Sequence, residues 1–180
     1  MTLATFKEAI ELCRTMSAQD PLQYNATMAK LLHNYAHMLS NLNQVSEAVE
    51  WEKEALSLFY DLVKTGEESP KNLCISLNGY GWRCHVLGRH TEAVLAYQES
   101  IDLRRAWVET DPRQRVYLMT ALHNIANSVH ALGENAEADA AANEALQMND
   151  PELFIICRYA PNRSSCFVCR KAITPAPPPF

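Results

Sequence analysis

The chain has 180 residues, 48% of them apolar, and a formal net charge of −5, which suits one compact domain or a short solenoid and excludes a disordered chain. The charge is uneven: residues 151–180 hold Arg158, Arg163, Arg170 and Lys171 against Glu152 alone, so +3 sits there and −8 on residues 1–150, an acidic body that excludes a nucleic-acid footprint. No apolar run approaches the roughly 18 residues of a membrane span, and six cysteines without framework spacing, behind an N-terminus (MTLATFKEAIEL) that is no signal peptide, set the expectation of a reduced, cytoplasmic protein.

Residues 5–18, TFKEAIELCRTMSA, place Phe6, Ile10 and Cys13 on one face at helical spacing and predict an amphipathic helix. Its segment KEAIEL resembles KEALSL at residues 53–58, so it reads as the second helix of a repeat whose first helix is missing. Asp20-Pro21, Ser69-Pro70, Asp111-Pro112 and Asp150-Pro151 each put a capping side chain before a proline that loses nothing at the first helical position. The first three pairs open helices predicted to run to about Leu42, Leu87 and Leu132. Turns at Asn43-Gln44, Gly88-Arg89 and Gly133-Glu134 follow, where Gly or Asn supplies a left-handed residue. Second helices are predicted over about Ser46–Thr65, Thr91–Thr110 and Asn135–Met148.

One stretch is written three times without a gap at a spacing of 45 residues: LHNYAHMLSNLNQVSEAVEWEKEAL from Leu32, LNGYGWRCHVLGRHTEAVLAYQESI from Leu77 and LHNIANSVHALGENAEADAAANEAL from Leu122. A fixed period of this size means stacked supersecondary units, none able to bury its apolar face alone. Ala36, Gly81 and Ala126 are small at one place in the first helix, and Ala48, Ala93 and Ala138 at one place in the second; there the two backbones are expected to approach closely. Tyr35, Tyr80 and Ile125, with Leu39, Cys84 and Val129, are the larger packing residues beside them. At Pro151 the pattern stops. The segment 151–180, ending ITPAPPPF, is read as a non-repeat, partly disordered tail.

Leu77, Tyr80-Gly81, Gly88 and Ala93, and their counterparts in the other two copies apart from Asn43 at the turn, resemble the tetratricopeptide repeat (TPR). The 45-residue spacing is longer than the usual 34 and is similar to the variety found in kinesin light chains and fungal multi-repeat proteins. The resemblance covers about residues 5–150. It implies an all-α, right-handed superhelical solenoid of antiparallel helix pairs. The expected layout is a domain over 1–150, made of the orphan helix and repeats at about 20–65, 69–110 and 111–149. It also implies a concave face, lined by the first helices, that binds a peptide of another protein.

The residues expected on that face are His33, Asn34 and His37, then Asn78, Trp82 and His85, then His123, Asn124, Asn127 and His130. Asn amides can bond both donors and acceptors of a peptide backbone, and Trp82 can anchor an apolar side chain or simply pack. In related long-repeat proteins, Asn in the place of Asn34 and Asn124 grips the main chain; Gly79 interrupts that ladder. The competing reading of the stripe is a solvated face. A clamp for a partner's C-terminal carboxylates is disfavoured, because Lys30 is the only basic residue suitably placed.

No catalytic constellation is present: no phosphate loop, no nucleophile elbow. Glu47, Glu50, Glu52 and Glu54 read as solvated outer-face carboxylates. His33 and His37 have metal-ligand spacing but no third ligand near them, and the lone CxxC at Cys166–Cys169 lacks the second pair of a structural zinc site. The expectation is therefore a non-enzymatic interaction module with no cofactor and no metal, binding protein but neither nucleic acid nor membrane. The alternative is a fragment of a larger TPR scaffold or NTPase-linked sensor that self-associates through uncapped ends.

Overall fold

The computed structural model of the chain describes residues 3–109, 111, 113–148, 167 and 168. Among them run α1 (Leu3–Gln19), α2 (Pro21–Asn41), α3 (Val45–Thr65), α4 (Pro70–Val86), α5 (His90–Val108), α6 (Gln114–Ala131) and α7 (Asn135–Gln147). These are the helices that periodicity and caps predict, each within a few residues. The expectations for residues 151–180 fall, apart from Phe167 and Val168, outside the described residues.

The caps differ in kind. Asp20 accepts the backbone N–H of Gln23 at 3.2 Å, as the Asp-Pro signature predicts. Ser69 does not cap: its side chain makes no capping hydrogen bond to α4. α6 starts later than expected, because Asp111 folds back on its own sequence neighbours. Its carboxylate accepts from Arg113 Nε at 2.8 Å, from the Arg113 backbone N–H at 3.2 Å and from the Gln114 amide at 3.1 Å. Those donors, the Arg113 side chain foremost, lower its pKa to about 2. The lowered value favours the fold above the usual carboxylate range, and that contribution is lost as pH falls through about 2.

The turns are alike. Asn43, Gly88 and Gly133 all have positive φ, at 63°, 74° and 86°. In each, the next residue's N–H reaches back to a buried carbonyl: Gln44 to Leu39 at 2.9 Å, Arg89 to Cys84 at 2.8 Å and Glu134 to Val129 at 3.2 Å. This is the Schellman arrangement, which satisfies the last carbonyls of a helix. Gly66, at φ 77°, closes α3 in the same way.

Two compact units result, Met1–Arg89 and His90–Phe180. In the first, α2 packs on both α1 and α3, α4 packs chiefly on α3, and Arg14–Glu54 at 2.7 Å ties α1 to α3. In the second, α6 packs on both α5 and α7, and Arg105–Glu144 at 2.9 Å ties those two together. Ala36, Ala48, Ala93, Ala126 and Ala138 are completely buried, as the small-residue pattern requires of helices in close contact. Tyr35, Leu39, Cys84, Ile125 and Val129 are buried beside them.

A Cβ at Gly133 would meet no neighbour within 4 Å, so only its backbone angle resists substitution. Gly133→Ala should cost about 1 kcal/mol, and Asn43→Gly should gain about 0.5 kcal/mol, both read from urea unfolding.

Candidate interaction site

The first unit presents α2 and α4. On α2, Asn34 and His37 are exposed, and His37 Nδ1 lies 3.3 Å from Asn41 Nδ2. Trp82 on α4 is 43% exposed. Asn78 and His85, on the same helix, are half-buried. Lys30 is paired with Glu68 at 3.0 Å, so the one basic residue of the disfavoured carboxylate clamp already holds an internal carboxylate.

His33 belongs to a different construction. Its Nδ1 lies 2.8 Å from Oε1 of Glu52, and the Ser76 hydroxyl donates to the same oxygen. The other carboxylate oxygen faces Arg83 Nη1 at 3.1 Å, while Arg83 Nε donates to Ser40 Oγ at 2.9 Å. Glu52 is completely buried and Arg83 is 2% exposed. The expectation that Glu52 stands on the solvated outer face with Glu47, Glu50 and Glu54 is therefore corrected. Glu52 falls on the stripe of Val45, Ala48, Val49, Ala55, Leu56 and Phe59, all buried, and its charge is met inside by a guanidinium. Burial pushes the Arg83 pKa down and Glu52 opposes that; the guanidinium stays charged.

This ion pair also explains the break in the asparagine ladder. A Cβ at Gly79 would come within 2.7 Å of Arg83 Nη1. The glycine between Asn34 and Asn124 in the repeat pattern is where the guanidinium passes to reach Glu52.

In the second unit α6 brings three of the expected residues together around an occupant. His123 is buried at 5% exposure, and its backbone carbonyl accepts from Asn127 Nδ2 at 2.8 Å. That bond turns Asn127 Oδ1 outward, where it accepts the backbone N–H of Phe167 at 2.8 Å. His130 Nδ1 bonds Asn135 Oδ1 at 2.8 Å, and its ring stacks on Phe167 with centroids 4.4 Å apart and planes at 25°. Val168 is completely buried. Asn124 is half-buried, its backbone carbonyl accepting from Ser128 at 3.2 Å.

Among the described residues, no group of three or more His, Cys, Asp or Glu is placed to hold a metal ion. No helix among them is long and apolar enough to cross a membrane. Sequence reasoning missed the Glu52–Arg83 pair and the seat of Phe167. The available signal for the first was the position of Glu52 on an apolar stripe; for the second there was none, since Phe167 lies far from α6 in sequence.

The helix pairs, their Schellman turns and their buried alanines define a helical-repeat protein. The family model for the tetratricopeptide repeat matches residues 28–59. The fold resembles the crystal structure of BtubC (BKLC) from P. vanneervenii, with a TM-score of 0.65 at 21% identity, over 88% of this chain and 61% of that one. The chain thus spans about three fifths of that structure's length. No curated protein matches the sequence. The described residues are all-α with a helical-repeat fold, and residues 28–59 match the tetratricopeptide repeat. Such repeats generally mediate protein–protein interactions, and they are typically non-catalytic scaffolds.

Removing one partner of a buried ion pair leaves the other uncompensated. Arg83→Ala should cost about 3–5 kcal/mol, and Glu52→Leu combined with Arg83→Met should recover most of that loss. Urea unfolding of the two variants checks this; equal losses would contradict it.

Proposed function

We propose that the chain is an interaction module without chemistry of its own, which holds a peptide segment of a partner protein against the polar face of its first helices. On α6 the contacts come from Asn127, His130 and Asn124, with His123 behind them. On α2 and α4 they come from Asn34, His37, Trp82, Asn78 and His85, with His33 set back against Glu52.

The observation that carries this reading is the seat of Phe167. A main-chain N–H bonds the Asn127 amide and an aromatic ring stacks on His130, both from a segment outside the helical repeats. The amide contact is indifferent to sequence, since every residue but proline offers a backbone N–H. The stack adds a preference for an aromatic residue. Trp82 stands where the repeat puts Asn127, and its exposure gives the first unit an aromatic anchor of its own.

Because Phe167 belongs to the chain itself, a partner segment has to displace it. The probe is a synthetic peptide of residues 164–170 with both cysteines replaced by serine, followed by fluorescence anisotropy on the full chain. Phe167→Ala should raise its affinity about tenfold, and adding Asn127→Ala or His130→Ala should lower it about tenfold again. Binding that ignores both α6 substitutions would refute the assignment of this face.

A further inference from the structure

The two units repeat each other's sequence, and one seat that is filled in the first is, among the described residues, empty in the second. By the 45-residue period, α6 corresponds to α2 and α7 to α3 at twice that spacing, and α5 matches α1 one residue further on, so that Tyr97, Ile101 and Arg105 stand for Phe6, Ile10 and Arg14.

In the first unit the seat holds Trp51. Its ring meets Tyr35 edge-on, with centroids 5.0 Å apart and planes at 86°. Its Nε1–H donates to Glu47 Oε1 at 3.4 Å. The Arg14 guanidinium stands 5.9 Å over the ring, held from the other side by Glu54 at 2.7 Å.

In the second unit Ala141 replaces Trp51 and Ile125 replaces Tyr35, but the frame is kept. Glu137 stands for Glu47, Arg105 for Arg14 and Glu144 for Glu54, and both carboxylate oxygens of Glu144 accept from Arg105 Nη2 at 2.9 Å. What remains is a cavity of about 260 Å³ among α5, α6 and α7. Leu122, Ile125 and Val129 form its floor, and Arg105, Glu137 and Glu144 its rim.

We propose that this cavity receives a tryptophan side chain of a partner protein, which takes the place that Trp51 fills internally in the first unit. The apolar floor buries the ring. Glu137 accepts the indole N–H, a group that can only donate. Arg105, already oriented by Glu144, lies over the ring face and adds a cation–π attraction. The size suits one ring system: the volume falls just short of the ~300 Å³ at which pockets for whole small molecules begin. Phenylalanine would cover the floor but leave Glu137 without its donor, so the seat discriminates between the two.

The site lies on another face of α6 from Asn127 and His130, since successive residues of a helix turn by about 100°. It stands or falls independently of the peptide contact proposed above.

The test is amide NMR of the full chain titrated with N-acetyl-tryptophanamide and, separately, N-acetyl-phenylalaninamide. Expected are shifts confined to α5, α6 and α7, a dissociation constant on the order of 1 mM for the indole probe, and about fivefold weaker binding of the phenyl probe, equivalent to one hydrogen bond. Glu137→Ala should abolish that preference, Ala141→Trp should abolish the shifts, and Trp51→Ala should open a second set in α1, α2 and α3. Asn127→Ala should change none of this. Absence of shifts in α5–α7, equal binding of the two probes, or indole binding that survives Ala141→Trp would overturn the proposal. Should Ala141→Trp fail to fold, the Glu137→Ala comparison decides alone.

Discussion

Each helix pair depends on buried alanines that have no side chain beyond Cβ. Ala36 and Ala48, and Ala126 and Ala138, are completely buried in helices that pack on each other, α2 on α3 and α6 on α7, and side chains this small allow close approach of the backbones. A connection of only a few residues turns the chain round, through a left-handed residue at Asn43 and Gly133. The carbonyls of Leu39 and Val129, freed at the helix ends, are then bonded by the turn itself. Pairing, turn and core are in this sense one device. The larger residues, Tyr35 and Ile125, only decide how the space around that contact is filled.

The first unit departs from the repeat at the Glu52–Arg83 pair, and the departure has consequences. A carboxylate and a guanidinium in a helical core are more often a cost than a gain against apolar residues of the same size. Here they have partners: His33 and Ser76 bond one oxygen of Glu52, Arg83 stands against the other as an ion pair without a hydrogen bond, and Arg83 in turn bonds Ser40. These groups come from α2, α3 and α4, so the network ties three helices together in a fixed register, as directional bonds do and apolar contact does not. It also takes His33 out of the set of residues free to meet a partner, and it leaves Gly79 no room for a side chain.

The second unit departs differently, by subtraction. Ala141 and Ile125 stand where the first unit has Trp51 and Tyr35, while the charged frame around them persists. On the opposite side of α6, the orientation of Asn127 is set by the carbonyl of His123, and that of His130 by Asn135. The two surfaces we propose for recognition thus share one helix and differ in chemistry: one is polar and met by a backbone N–H, the other apolar with a carboxylate at its edge.

The helices, their order and the turns were legible in the sequence, because period, proline caps and glycine placement are local properties. The buried alanines were legible too, since a repeat written three times shows which positions must stay small. Helix α6 was misplaced at its start because Asp111 bonds Arg113 and Gln114 rather than capping the helix, a choice between near neighbours that spacing does not settle. Glu52 was misread because its partners lie 19, 24 and 31 residues away in sequence. The sequence by itself determined an all-α repeat chain resembling the tetratricopeptide repeat, with an acidic body and a polar stripe on its first helices. Only the tertiary structure decided that Glu52 and Arg83 meet inside, that Phe167 lies on Asn127 and His130, and that among the described residues a cavity stands where the repeat pattern puts Trp51. Those depend on side chains from distant segments meeting in space, and local pattern carries no information about such encounters.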